Sequence, residues 1–132
     1  MKRHQKRTSD ERGQTLVEFA ALLPVLCLLL FGIIQFGVVF HDYLTVTDAS
    51  RVGARKAAVS RTLPGPAALA EAATRSAADG LKQADLAVTV TAVAWSPGAD
   101  VTVEATYPYN VNILGVVVKA GLLHSKTVER VE

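Results

Sequence analysis

Residues 19–40, FAALLPVLCLLLFGIIQFGVVF, contain no charged side chain. No other feature restricts the fold as much. Rising about 1.5 Å per residue as a helix, the run is long enough to cross a hydrocarbon core of about 30 Å. A soluble protein would have to bury such a helix on every side. A chain of 132 residues has room for one small domain, too little to surround it. The run therefore reads as a transmembrane helix, and the chain as a single-pass membrane protein. Half of the residues are hydrophobic and the mean hydropathy is +0.28, an excess concentrated in this segment.

The charge is placed as a membrane requires. Lys2, Arg3, Lys6, Arg7 and Arg12 fall in residues 1–13, against only Asp10 and Glu11. That head is net +3, which leaves −1 for the remainder of a chain whose total is +2. Confinement of the net positive charge to one end argues against a nucleic-acid partner and fits the positive-inside rule. The expected division is a cytoplasmic basic leader over residues 1–13, a transmembrane helix over 14–42 and an extracytoplasmic domain over 43–132. Cys27 is the one cysteine, so no internal disulfide can form. Pro24-Val25-Leu26 before it lacks the small residue that lipidation needs, and Cys27 is read as lipid packing.

A secretory signal has a short apolar region followed by a small-residue cleavage site on its far side. Here the apolar run is too long, no such site follows it, and the small residue, Gly13, stands on the near side. A cut between Gly13 and Gln14 would shed the charged head and keep the helix. Glu18 would then be the fifth residue of the mature chain. A carboxylate at the edge of lipid is costly when unpaired, and a new α-amine on Gln14 would be a cation one helical turn away. The two could meet within one chain or between neighbouring chains, the second option making Glu18 a register device. Equally, Glu18 could be an interfacial residue favoured by the positive end of the helix dipole.

Gly13 followed by QTLVEF and an uninterrupted apolar helix resembles a class III signal peptide of the type IV pilin superfamily. More narrowly, RGQTLVEFAALLP, FGIIQFG and ASRVGARKAAV resemble TadE-like proteins of the tight-adherence (Flp) pilus system, and VTVEATYPYNV and TVERVE are similar to the strand-rich tail of that family. The resemblance implies cleavage between Gly13 and Gln14 by a membrane aspartyl prepilin peptidase. It also implies a role for Glu18 and Phe19 in joining other pilin or pseudopilin subunits and the pilus assembly machinery. Gln35 departs from the pattern, where relatives carry Glu.

Beyond the leader, the helix is expected from about Thr15, kinked at Pro24, which lacks an amide proton and crowds the carbonyl one turn back. It should continue past the lipid as an amphipathic helix carrying Leu44, Val46, Ala49, Val52, Gly53, Ala57 and Val59 as apolar or small positions. Ala49, Gly53 and Ala57 form a line of small residues that allows close approach, read as packing on the chain's own domain. Thr62–Pro66 ends the helix, and a second follows over residues 67–82. Alternation over 86–95 and 101–107, with Ser96-Pro97-Gly98-Ala99-Asp100 between, reads as a hairpin that includes Trp95. Pro108 should interrupt the ladder or lie on an edge. Residues 111–123 read as a loop or short helix, and 125–131 as a third strand. The fold class is α+β: a long N-terminal helix packed on a small three-stranded antiparallel sheet, pilin-like.

His4, His41 and His124 show no metal-ligand spacing. There is no phosphate loop and no nucleophile motif. No catalytic residue, metal or cofactor is expected, and a membrane-anchored enzyme is the least supported class. The leading expectation is a TadE-like minor pilin or pseudopilin. The alternative is an uncleaved bitopic membrane protein bearing a small extracytoplasmic binding module.

Overall fold

The structure is a computed structural model that describes residues 8–132. Lys2, Arg3, His4, Lys6 and Arg7 of the basic leader lie outside the described residues. The elements are α1 (Thr8–Val59), α2 (Pro66–Ala77), β1 (Ala87–Ala92), β2 (Asp100–Ile113) and β3 (Val116–Arg130). The strands form one antiparallel sheet in the order β1-β2-β3. The fold is thus the expected α+β arrangement of a long N-terminal helix on three antiparallel strands.

α1 begins earlier than expected, at Thr8, and runs unbroken through Gly13 and Pro24. Residues 13–31 are all exposed. The helix from Gly13 onward contains a window of mean hydropathy 2.6, none of it buried, long and apolar enough to cross a membrane.

The outer half of α1 is held by a stripe of small side chains. Val46, Ala49, Ser50, Gly53, Ala54, Ala57 and Ala58 are buried at helical spacing. Leu44, Val52 and Val59 instead stand on the open side. Their angular position explains the difference, because they fall outside the stripe of α1 that meets α2 and the sheet. Two clusters result. Val46 and Ala49 pack with Ala78, Leu81, Leu86 and Ala105. Ala57 packs with Ala70, Val101 and Val131, with Trp95 laid against them. Between the clusters, Ser50 Oγ bonds to the Thr47 carbonyl at 2.8 Å, to Ser125 Oγ at 2.8 Å and to Thr127 Oγ1 at 2.9 Å, tying α1 to β3.

α2 is shorter than expected, ending at Ala77. Gly80 adopts a left-handed φ of 91°, and Gln83 Nε2 donates to the carbonyls of Arg75 and Ala78 at 3.2 Å, capping the helix end. Arg75 in turn donates to Glu71 Oε1 and to the Gln83 and Leu86 carbonyls, pinning the crossover into β1. β1 stops at Ala92, so Trp95 lies in the connection and not in a strand.

The largest difference lies in residues 111–123. They are neither loop nor helix but the far part of a long hairpin, closed at Leu114-Gly115 with φ of 52° and 88°. Positive φ at both positions is the geometry that matches strand twist in a two-residue turn. β3 accordingly starts at Val116. β2 pairs with β1 only as far as Ala87↔Thr106, so at Pro108 it is an edge on that side and needs no donor there. Gly121 faces Tyr109 in the register, and a Cβ on it would approach the ring at 2.8 Å. The glycine makes room for the tyrosine.

Gly53 carries the tightest contact in the fold. A Cβ there would overlap Thr74 Oγ1 and reach the Ala70 carbonyl at 3.2 Å. Gly53→Ala should therefore destabilise the chain by about 1–3 kcal/mol. Adding Thr74→Ala should recover part of the loss, a coupling measurable by denaturant titration of the detergent-solubilised single and double variants.

Candidate processing and assembly site

The residues that the sequence marks for cleavage and assembly stand together at the head of α1. Gly13, Gln14, Glu18 and Phe19 are all exposed, and Phe19 keeps 59% of its surface open. No part of the folded domain covers them. Gln14 Nε2 donates to Glu18 Oε1 at 3.1 Å. In the uncut chain the carboxylate is thus met by the amide side chain of Gln14, across the same one-turn spacing that would bring a new α-amine close. One oxygen of the pair is engaged in this way, and Glu18 retains further acceptor capacity.

Gly13 has nothing within 4 Å of a built Cβ, and its φ is not among those in the left-handed region. Neither backbone conformation nor packing requires glycine here, and glycine within a helix costs about 1 kcal/mol relative to alanine. This local fold therefore gives no reason for the residue. Gly53 is the opposite case, since its neighbours leave no room for anything larger.

Ala49, Gly53 and Ala57 are not gathered into the same site. They lie far along α1, buried against α2 and the sheet of the same chain. The line of small residues is occupied internally. Gln35, the polar residue within the apolar run, sits on the partly covered face of α1 and lines a cleft with Asp42, Tyr109 and Asn110. The sequence shows Gln35 as a departure from pattern but not what covers it, because its neighbours come from a hairpin some 70 positions away whose register could not be read. Ser50 was likewise missed, its hydroxyl partners lying on β3.

Among the described residues no group of three or more His, Cys, Asp and Glu comes together as a metal site. His124 instead lies 3.9 Å from Glu104 across the outer sheet face, where Lys126 meets the same carboxylate at 3.2 Å.

If Gly13 and Glu18 serve no purpose in this fold, substituting them should leave it intact. Glu18→Ala should shift stability by no more than about 0.5 kcal/mol, and Gly13→Leu should leave it unchanged or raise it by up to about 1 kcal/mol, in denaturant titrations of the full chain.

No curated protein and no solved structure matches the chain. The family model of TadE-like protein matches residues 13–55, about a third of the chain. The match starts at Gly13, takes in Glu18 and the whole apolar run, and ends just past Gly53. The chain is accordingly TadE-like across its apolar helix and most of that helix's packed outer half.

Proposed function

We propose that this chain is a minor pilin or pseudopilin of a tight-adherence (Flp) pilus system. In this reading it is inserted in the cytoplasmic membrane with its N-terminus cytoplasmic and residues 43–132 outside. A prepilin peptidase cuts between Gly13 and Gln14, and the mature chain joins other pilin subunits and the assembly machinery. The observation that carries the reading is the state of residues 13–19. They open the family-matched segment and stand clear of the chain's own fold.

The chemistry of assembly follows from what Glu18 lacks. An acid at the lipid boundary gains most from a cation at equal depth. Cleavage creates one, the Gln14 α-amine, on every subunit. Side-by-side packing of exposed apolar helices then places the amine of one chain beside Glu18 of the next. Phe19, the first residue inside the apolar run, supplies a large side chain to that contact.

One observation favours the alternative of an uncut bitopic protein. α1 passes helically through the cleavage site, whereas a protease needs an extended segment. Glycine at position 13 lowers the cost of local unwinding, which reconciles the two.

Intact mass decides between them. Cells with an active prepilin peptidase should yield a chain lacking residues 1–13, and Gly13→Leu should retain them. A wild-type chain of full length in such cells would overturn the reading. Glu18→Ala should be cut normally yet co-purify with partner pilins at least about tenfold less well, as expected when about 1.4 kcal/mol or more of contact is lost. Wild-type recovery of partners with this variant would remove the pairing role.

A further inference from the structure

Past Thr106, where pairing with β1 ends, β2 and β3 continue as a two-stranded arm. Burial along α1 shows where the arm lies. Residues 13–31 are exposed without exception, whereas Gly32, Gln35, Val39 and Asp42 are partly covered, at the spacing of one helix face. A cleft of about 650 Å³ lies between Gly32, Phe36 and Val39 on one wall and Val111, Lys119 and Leu122 on the other. The arm therefore reaches down the apolar run as far as Gly32. From Phe40 to Gly32 is about 12 Å along the helix axis.

The arm's composition fits that depth. Residues 105–118, ATYPYNVNILGVVV, contain no charge. Leu114, Val116, Val117, Val118 and Leu122 are 56–72% exposed. In water, such a patch on an open strand pair is an aggregation hazard. At a membrane surface it is a fitting contact, with Tyr107 and Tyr109 at the arm's base, where aromatic side chains favour the interface. Lys119 is long enough to lift its ammonium toward the headgroups. Open strand edges cannot enter full hydrocarbon, which places the arm in the boundary of headgroups and acyl chains and sets the start of the hydrocarbon core on α1 near Gly32 and not at Phe40.

We propose that the β2–β3 arm is a second membrane-contacting element, its tip wedged into the outer leaflet beside α1. Phospholipid acyl chains pack on Val117, Val118 and Leu114 and enter the cleft between arm and helix. The inference rests on α1 crossing the membrane and is independent of cleavage at Gly13.

Depth-dependent quenching tests it on the full chain reconstituted in phosphatidylcholine–phosphatidylglycerol vesicles. Trp95, the single tryptophan, lies at the opposite end of the sheet. In a Trp95→Phe background, Val117→Trp and Val118→Trp are placed singly, one at a paired position and one at the unpaired residue of the register shift. Phe31→Trp in α1 is the reference. Lipids brominated near the glycerol end of their acyl chains should reduce the emission of at least one arm tryptophan by about half, as well as that of Phe31→Trp, and leave native Trp95 unaffected. Quenching of Phe31→Trp alone would overturn the arm's insertion while leaving the membrane helix standing. A blue-shifted but unquenched arm tryptophan would also overturn it, by showing cover from a second protein copy. Failure of all three to quench would overturn both the arm and the spanning helix.

Discussion

The close approach of α1 to α2 and the sheet governs the packing of the whole domain beyond the apolar run. A domain this small, without a disulfide, has little apolar volume to bury. It compensates by bringing backbones together, with Ala49, Gly53 and Ala57 on the helix meeting Ala78, Thr74 and Ala70 opposite. Dispersion contacts between close backbones replace those that larger side chains would make. The same constraint assigns the polar groups. Ser50 and Thr74 are buried, and each hydroxyl has a partner at 2.8 Å or slightly more. Since an unmet hydroxyl in such a core costs about 1–3 kcal/mol, the hydroxyl cluster adds specificity to an interface of otherwise uniform alanine.

Along α1 the duties are separated by position. The first turns after Gly13 touch nothing of the folded domain, the middle is apolar, and the outer third is the spine of the domain. This separation leaves the exposed residues at the head without a part in the packing of the domain. It also distinguishes the two glycines that matter. Gly53 is required by neighbours that can be named, Thr74 and Ala70. Gly13 has no such neighbours, and the proposed cleavage is what would give it a reason.

Much of this was legible beforehand, for physical reasons. An uncharged apolar run, a basic head, a proline-glycine break at residues 62–66 and alternating β-branched residues each report one local preference strongly. The small-residue line at Ala49, Gly53 and Ala57 could be read as a packing face because close approach leaves a compositional mark. What could not be read was any feature set by partners distant in sequence. The end of α2 depends on Gln83 reaching back to carbonyls. Residues 111–123 lacked alternation, since Val116, Val117 and Val118 are consecutive and a register shift falls between Val111 and Asn112. That run looked like a covered loop, and only pairing with β2 makes it a strand. Leu44, Val52 and Val59 misled in the other direction, suggesting a broader buried face than so tight a contact admits.

The hairpin arm and α1 belong to one body, joined through β2 and the hydroxyl cluster at Ser50. Any axial pull on the helix is therefore shared by the sheet. Hauling the helix outward by a single turn, about 5.4 Å, would also draw the valine-rich tip at Val116, Val117 and Val118 toward water. With the tip bedded in lipid as proposed, withdrawal from the bilayer would be resisted at two points instead of one, and a neighbouring subunit that offered both a groove for the helix and a greasy bed for the tip would ease departure at each.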